Sequence, residues 1–361
     1  MLDGGASRAE HSPAGPQSRG TGDTMDRTNG HRLSAALRGV ALVAGLTFGL
    51  DAAASVRAET ILFVGNSFTY GAYSPVWKYR AHTVTDLNGT GVGGMPALFK
   101  AFTEEAGLTY DVSLETEGGT DFAFHMRERA ALLDRPWDHA VLQSYSTLDQ
   151  AHPGDPTALV RDTPLFAQML AARNPAVDVR LNATWSRADQ VYPERGHWHG
   201  QPVRTMARDI RAAYDRASAA SPLVRGVIPV GDAWNRAFDV GYADTNPYDG
   251  IEAGKVDLWT WDNYHASTHG YYLEALMVFG AVTGHDPLSL GPREIAAAEL
   301  GLSPAQATRL QQIAHDELAA HAAARAAPAA PAGAAQPPKD ISTAGPSPVS
   351  TTAPPANPAR R

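Results

Sequence analysis

Apolar runs of strand length alternate with helix-length segments through the middle of the chain. The five runs span residues 60–65, 108–116, 139–144, 177–185 and 224–234. Helical patterns separate or follow them, at residues 95–106, 120–133, 163–172, 201–219, 269–282 and 303–318. This alternation predicts an α/β fold in which a parallel, five-stranded sheet is covered by helices on both faces. In such sheets ligands bind at the carboxyl ends of the strands.

The two ends of the 361-residue chain differ in composition from its middle. Residues 1–30 have few large apolar side chains and are predicted to be a disordered or misassigned extension, since Met25 would also serve as a start. Within residues 31–58, Arg32 and Arg38 precede an apolar stretch, and small residues follow it. This is the pattern of a signal peptide, which predicts a secreted or periplasmic protein without a stable membrane span in its mature form. Residues 59–321 are predicted to form one domain, followed by a disordered Pro/Ala-rich tail at 322–361.

Charge and cysteine content exclude several classes of function. The formal net charge is −8, so the chain lacks the overall basic character of a nucleic-acid-binding protein. With no cysteine, it has neither disulfides nor a thiolate nucleophile nor a cysteine metal site. His197 and His199 have no evident third ligand, and the carboxylate spacing in residues 244–252 does not match a calcium loop. We therefore predict no metal and no cofactor.

The first apolar run ends abruptly in polar residues, in the stretch TILFVGNSFT. Ser67 lies just beyond the predicted strand, where its hydroxyl and its amide would both face the ligand-binding edge of the sheet. A serine at such a position is either part of an ordinary turn or a nucleophile, and a nucleophile needs a base and an oxyanion hole.

A candidate base lies near the C-terminal end of the domain, in the stretch WDNYHAST. Asp262 and His265 are three residues apart, just before a helix that Ser267 or Thr268 could cap. At this spacing the carboxylate can reach the imidazole, fix its tautomer and leave the other ring nitrogen free to accept a proton. His125 and His269 are competing bases, and an Asp and a His that merely begin a helix are the alternative interpretation.

Together, GNSFT after the first strand and DNYH before the late helix resemble the SGNH (GDSL-type) hydrolases, specifically a GNSFT-type subgroup. The resemblance implies a flavodoxin-like three-layer α/β/α sandwich and ester hydrolysis, with Ser67 as nucleophile, His265 as base and Asp262 as its partner. It also implies an oxyanion hole made by the Ser67 amide, by Gly119 in the TEGGTDF stretch, and by an amide side chain after the third strand. The third strand is followed by VLQSYS rather than by Gly-x-Asn-Asp, so Gln143 takes the last role.

The resemblance predicts a secreted serine hydrolase that cleaves carboxylic esters, such as acetyl groups on a small molecule or a carbohydrate. Residues near the predicted site that could contact this substrate are Asn66, Trp185, Trp261 and Tyr264. Because the third block departs from the family pattern, an inactive binding protein of the same fold is one alternative. An O-acyltransferase or thioesterase that uses the same residues is another.

Overall fold

A six-stranded, fully parallel sheet organises residues 57–326, the part of the chain that the computed structural model describes. The strands are β1 (Glu59–Gly65), β2 (Thr85–Asp86), β3 (Tyr110–Thr116), β4 (His139–Leu142), β5 (Asp178–Ala183) and β6 (Val224–Pro229). Their order is β2-β3-β1-β4-β5-β6. The prediction of a parallel α/β sheet is confirmed, but the number of strands predicted was wrong, because the two-residue edge strand β2 is too short to produce a periodic pattern.

The chain reverses its direction of travel across the sheet at β1. From β1 it crosses to the edge strand β2 and comes back to β3, beside β1, and it then passes to β4 on the other side of β1 and continues to β5 and β6. Residues 61–65 are buried on both faces of the sheet, as expected for a central strand of an apolar run. A reversal of this kind opens a crevice outside the carboxyl ends of the strands, so the loops after β1, β3 and β4 are positioned to form a site.

Ten α-helices lie among the described residues, together with short 3-10 turns. Their bounds are α1 (Gly94–Glu105), α2 (Phe122–Glu128), α3 (Ala130–Leu133), α4 (Thr157–Ala171), α5 (Ala188–Val191), α6 (Arg204–Ala219), α7 (Val230–Asp239), α8 (Thr268–Thr283), α9 (Ile295–Glu299) and α10 (Pro304–Ala326). Helices α1, α8 and α10 pack together, and α2, α4 and α6 form a second group. Helices therefore cover both sides of the sheet, as predicted.

Three predicted boundaries differ from the structure, each for a local reason. The fifth apolar run ends as a strand at Pro229, because the following residues form the first turn of α7. The pair Thr163-Pro164 looks like a helix start, but it lies inside α4, where the Thr163 hydroxyl donates to the Leu159 carbonyl. The predicted helix 120–133 is divided in two at Arg129.

The predictions for residues 1–30 and 31–58, and for most of the tail, concern residues outside those described. Helix α10 runs to Ala326, past the predicted end of the domain at residue 321. Within residues 57–326, no helix combines the length and apolar character needed to cross a membrane.

Candidate active site

Ser67 is the second residue after β1, in a turn that its neighbours hold in place. Asn66 is 2% exposed, and its side-chain amide donates to the carbonyls of Thr120 and Ser144, at 3.0 and 3.3 Å. Its side-chain oxygen accepts from the Phe68 amide. Asn66 therefore connects the loop after β1 to the loops after β3 and β4. Since Asn66 is buried and both hydrogens of its amide are used, the structure gives it a bridging position; the predicted contact with substrate is not tested.

Gln143 supports the same turn from β4. Its side-chain oxygen accepts from the Asn66 amide and from the Thr69 hydroxyl, both at 3.1 Å, and its side-chain nitrogen donates to the Ser144 carbonyl. Gln143 is 1% exposed. These bonds fix the shape of the loop that carries Ser67, and the donor role predicted for Gln143 in an oxyanion hole stays a prediction.

The backbone N–H groups of Ser67 and Gly119 have no hydrogen-bond partner among residues 57–326. They lie in the loops after the neighbouring strands β1 and β3. Gly119 has φ +72°, a conformation that L side chains rarely adopt. Unpartnered amides at the ends of adjacent strands are the donors that a developing oxyanion would need.

Asp262 and His265 form a close pair on the loop before α8. The Asp262 carboxylate lies 2.6 Å from His265 Nδ1 and accepts from the Tyr264 and His265 amides. Burial alone would raise the pKa of the Asp262 carboxyl, but the hydrogen bonds from the ring and the amides outweigh it and hold that pKa below its ordinary value. The carboxylate is therefore charged near neutral pH and fixes the orientation of the imidazole.

The other ring nitrogen of His265, Nε2, is buried and has no hydrogen-bond partner among the described residues. No hydrogen bond thus joins it to the Ser67 hydroxyl in this structure, although the two loops are in contact. The rings of Phe68 and Tyr73 lie 5.6 and 5.1 Å from the His265 ring, centre to centre. Catalytic hydrogen bonds often tighten only once substrate is bound.

The competing histidines have different surroundings. His125 is fully buried and its Nδ1 lies 2.5 Å from Glu115. His269 lies in the first turn of α8; burial lowers its pKa, and no carboxylate among the described residues pairs with it. His197 and His199 lie in turns rather than on a strand, and residues 57–326 contain no group of three or more side chains suited to a metal ion.

The aromatic residues predicted to contact substrate fall into two groups. Trp185 is fully buried, with its ring 4.4 Å from that of Phe68 and 4.7 Å from that of Trp234. Trp261, by contrast, is 76% exposed, and its ring lies 5.3 Å from that of Tyr73. Trp185 thus packs beneath the loop that carries Ser67, whereas Trp261 and Tyr73 present exposed aromatic rings near His265.

Tyr264 is held between His265 and an arginine. The centre of its ring lies 3.9 Å from the centre of the His265 ring. The Arg187 guanidinium carbon lies 3.5 Å from the centre of the Tyr264 ring. Arg187 is anchored by Asp189 and by the Ser146 hydroxyl. The contact fastens the His265 loop to the loops after β4 and β5.

The sequence alone did not identify several residues of this site. Arg187, Tyr73 and Tyr271 are the main ones, and the Tyr271 hydroxyl donates to the Ser67 carbonyl at 3.2 Å. The polar run SRAD after β5 was the one available signal for Arg187. Two residues close to His265 have positive φ. They are Tyr73, at 58°, and Asn263, at 56°. Backbone strain of this kind is concentrated at functional sites, but it leaves no mark in the sequence.

A cavity of about 280 Å³ opens beside Gly119. Phe124, Tyr145 and Leu148 give it apolar walls, and Asp121 and Asp149 add carboxylates. A larger cavity of about 650 Å³ lies between α8, α10 and the sheet, and none of the predicted site residues lines it. The smaller cavity is therefore the one that adjoins the candidate active site.

No protein-family model and no curated protein matches the sequence. Among solved structures, a DUF4886 family protein from Bacteroides uniformis is similar, with a TM-score of 0.52 and 19% identity over 73% of this chain and 95% of that one. A protein described as a GDSL-like lipase from Parabacteroides merdae gives a TM-score of 0.44 and 16% identity, over 63% of this chain and 96% of the other. The family 3 carbohydrate esterase of Clostridium thermocellum gives 0.39 and 15%, over 62% and 94%.

At these identities the likeness concerns the fold. The fold that the resemblance implies, a parallel sheet between two layers of helices, is confirmed. The GNSFT-type subgroup stays a prediction.

Proposed function

We propose that this chain is a serine hydrolase that cleaves carboxylic esters through an acyl-enzyme. The observation that carries the proposal is the Asp262–His265 pair, whose second ring nitrogen is buried and has no hydrogen-bond partner among the described residues, beside the loop that holds Ser67. A carboxylate that orients an imidazole, a serine in the neighbouring loop and backbone N–H groups able to donate to an oxyanion are the groups that acyl transfer requires.

The reaction follows from these positions. His265 Nε2 accepts the Ser67 hydroxyl proton as the oxygen attacks the ester carbonyl carbon, and the Ser67 and Gly119 amides stabilise the oxyanion. The tetrahedral intermediate collapses when the C–O bond to the alcohol breaks, and His265 returns its proton to that alcohol. Water then attacks the acyl-serine and loses a proton to His265. The bond between the acyl carbon and the Ser67 oxygen breaks, His265 returns the proton to Ser67, and the acid leaves. Asp262 stabilises the imidazolium throughout.

The substrate we propose is a small ester, such as an acetyl group on a carbohydrate, met outside the cytoplasm. The exposed rings of Trp261 and Tyr73 beside His265 support it, since flat aromatic faces suit sugar rings. The apparent signal peptide at residues 31–58 supports export.

Hydrolysis of p-nitrophenyl acetate tests the proposal. We expect wild-type activity that is lost in Ser67→Ala and kept in Ser218→Ala, because Ser218 lies in the last turn of α6 before β6 begins, at the opposite edge of the sheet. Equal activity of Ser67→Ala and wild type would refute the assignment of Ser67.

The second candidate is an inactive binding protein of this fold. It is favoured by Gln143, whose side-chain nitrogen and oxygen are already engaged within the protein, and by the missing hydrogen bond between Ser67 and His265. Absence of hydrolysis across a panel of acyl esters, with a folded wild-type protein, would favour this candidate. Acyl transfer at the same site is distinguished by adding an alcohol acceptor. In that case less free acetate is released, because the acetyl group passes to the acceptor instead of to water.

A further inference from the structure

The turn that presents Gly119, at residues 118–119, is closed in part by a side chain. The backbone contact that usually closes a four-residue turn, from the Thr120 N–H to the Glu117 carbonyl, is not among the well-formed hydrogen bonds of the described residues. The Thr120 hydroxyl donates to that same carbonyl, at 2.7 Å. This hydroxyl therefore helps to hold the Gly118-Gly119 segment in its conformation.

A buried histidine contacts that hydroxyl and holds it in place. His125 Nε2 lies 3.0 Å from Thr120 Oγ1, and His125 Nδ1 lies 2.5 Å from Glu115 Oε2. The Thr120 hydroxyl has a single hydrogen, so while it donates to the Glu117 carbonyl it accepts from the His125 ring. The side chains of His125 and Glu115 are both 0% exposed.

Further contacts connect this arrangement to the rest of the site. The second Glu115 oxygen accepts from the Asn88 side-chain amide at 3.1 Å, and the Arg129 guanidinium lies 3.5 Å from it. On the other side, the Thr120 carbonyl accepts from Asn66, the residue directly before Ser67. Thr120 thus joins a buried charged network in β3 and α2 to the nucleophile loop.

We propose that Thr120, held by the buried Glu115–His125 pair, is a positioning residue that aims the Gly119 N–H at the oxyanion. The inference rests on the proposed hydrolase function and deepens it. Burying a carboxylate beside an imidazole is costly unless the groups are fully hydrogen-bonded, and this pair satisfies its bonds by holding one turn of the site. A flexible Gly-Gly turn would otherwise leave its amide free to rotate away from the developing charge.

The order Glu115, His125, Thr120 also resembles a nucleophilic triad, with threonine as the nucleophile. Its contacts argue against that role. The Thr120 hydroxyl hydrogen is directed to the Glu117 carbonyl, and both ring nitrogens of His125 are engaged. The side chain of His125 is also fully buried, which keeps it out of contact with solvent.

The matched variants Thr120→Val and Thr120→Ser test the proposal, because valine keeps the shape and removes the hydroxyl whereas serine keeps the hydroxyl. For p-nitrophenyl acetate we expect kcat to fall about 10- to 100-fold in Thr120→Val with KM nearly unchanged, and to recover in Thr120→Ser. Affinity for a trifluoromethyl ketone, which forms a tetrahedral adduct on Ser67, should fall in parallel with kcat. A purely structural role would not produce this parallel loss at constant KM. Equal kcat in Thr120→Val and wild type would overturn the proposal.

A second measurement keeps this result separate from failure of the proposed function. In the full chain we expect the Gly119 amide to be rigid on the ps–ns timescale in wild type and Thr120→Ser, with a ¹⁵N order parameter near 0.85, and to fall below about 0.6 in Thr120→Val. Unchanged rigidity in Thr120→Val would overturn the inference even if wild type shows no esterase activity. Activity without the predicted loss would overturn the inference alone and leave the hydrolase proposal standing.

Discussion

The Asp262 carboxylate lies 2.6 Å from His265 Nδ1 and also accepts the His265 backbone amide. The ring is therefore held in the tautomer that leaves Nε2 unprotonated and able to act as a base. In Asp262→Asn the amide can donate to Nδ1 and so stabilise the wrong tautomer. We expect kcat to fall by about 10³–10⁴ with little change in melting temperature. Steady-state kinetics with p-nitrophenyl acetate would measure this fall in kcat. A fall of less than about tenfold would contradict the role proposed for Asp262.

Gly119→Ala tests the oxyanion turn through backbone conformation. A Cβ at Gly119 would contact no atom within 4 Å, so the cost of the substitution comes from φ +72° alone, about 1–2 kcal/mol. Relief of that strain would move the amide, and we expect kcat to fall about 10²–10³-fold.

Gly284→Ala is a matched control for this variant. Gly284 ends α8, has the same φ of +72°, and is equally free of neighbours within 4 Å. Both variants should lose similar stability, measured by thermal unfolding, but only Gly119→Ala should lose activity. Equal activity in the two would show that the Gly119 amide does not contribute.

Glu274 makes stability depend on pH. It is fully buried in α8, and burial raises its pKa to about 8, although the Asn182 side-chain amide donates to it at 2.7 Å. The unfolded chain releases this proton near the ordinary value of 4.5, whereas the folded chain keeps it until about pH 8. Glu274 therefore makes its full contribution to the free energy of unfolding below pH 4.5. That contribution is lost as pH rises toward 8, by at most about 1.4 kcal/mol per pH unit.

Glu274→Gln should remove that part of the slope while keeping the bond from Asn182. Urea unfolding at pH 5 and pH 8 would show a smaller loss of stability for the variant than for wild type. Exposed Glu252→Gln should keep the wild-type slope. Identical slopes for Glu274→Gln and wild type would mean that Glu274 does not titrate as proposed.

Trp185 and Trp261, both predicted from sequence to bind substrate, should respond oppositely to alanine substitution. Trp185 is 0% exposed, so Trp185→Ala should lower stability by about 3–5 kcal/mol. Trp261→Ala should leave the melting temperature unchanged and raise KM for an acetylated oligosaccharide about tenfold, while p-nitrophenyl acetate hydrolysis stays the same. An unchanged KM would argue against a carbohydrate beside Trp261.

The parallel sheet could be predicted because its central strands are uninterrupted apolar runs, as β1 shows. Ser67, Gly119 and Gln143 could be placed at one edge because each lies within three residues of the carboxyl end of a strand. The two-residue strand β2 and the helix break at Arg129 depend on tertiary contacts and could not be predicted from periodicity.

Contacts between particular side chains could not be predicted from the sequence either. Tyr271 reaches Ser67 across 204 positions. Thr120 and His125 are only five positions apart, but no sequence pattern shows that their side chains meet. The burial of Trp185 and the exposure of Trp261 could not be distinguished either, because composition does not show which side of a loop an aromatic ring faces.

Covalent labelling by a fluorophosphonate, followed by mass spectrometry of the labelled peptides, tests the central claim most directly. If Ser67 is the nucleophile and His265 its base, wild type should carry one adduct on Ser67, Ser67→Ala should carry none, and labelling of His265→Ala should be strongly slowed. An adduct on another residue, such as Thr120, or labelling that persists in Ser67→Ala, would contradict the account.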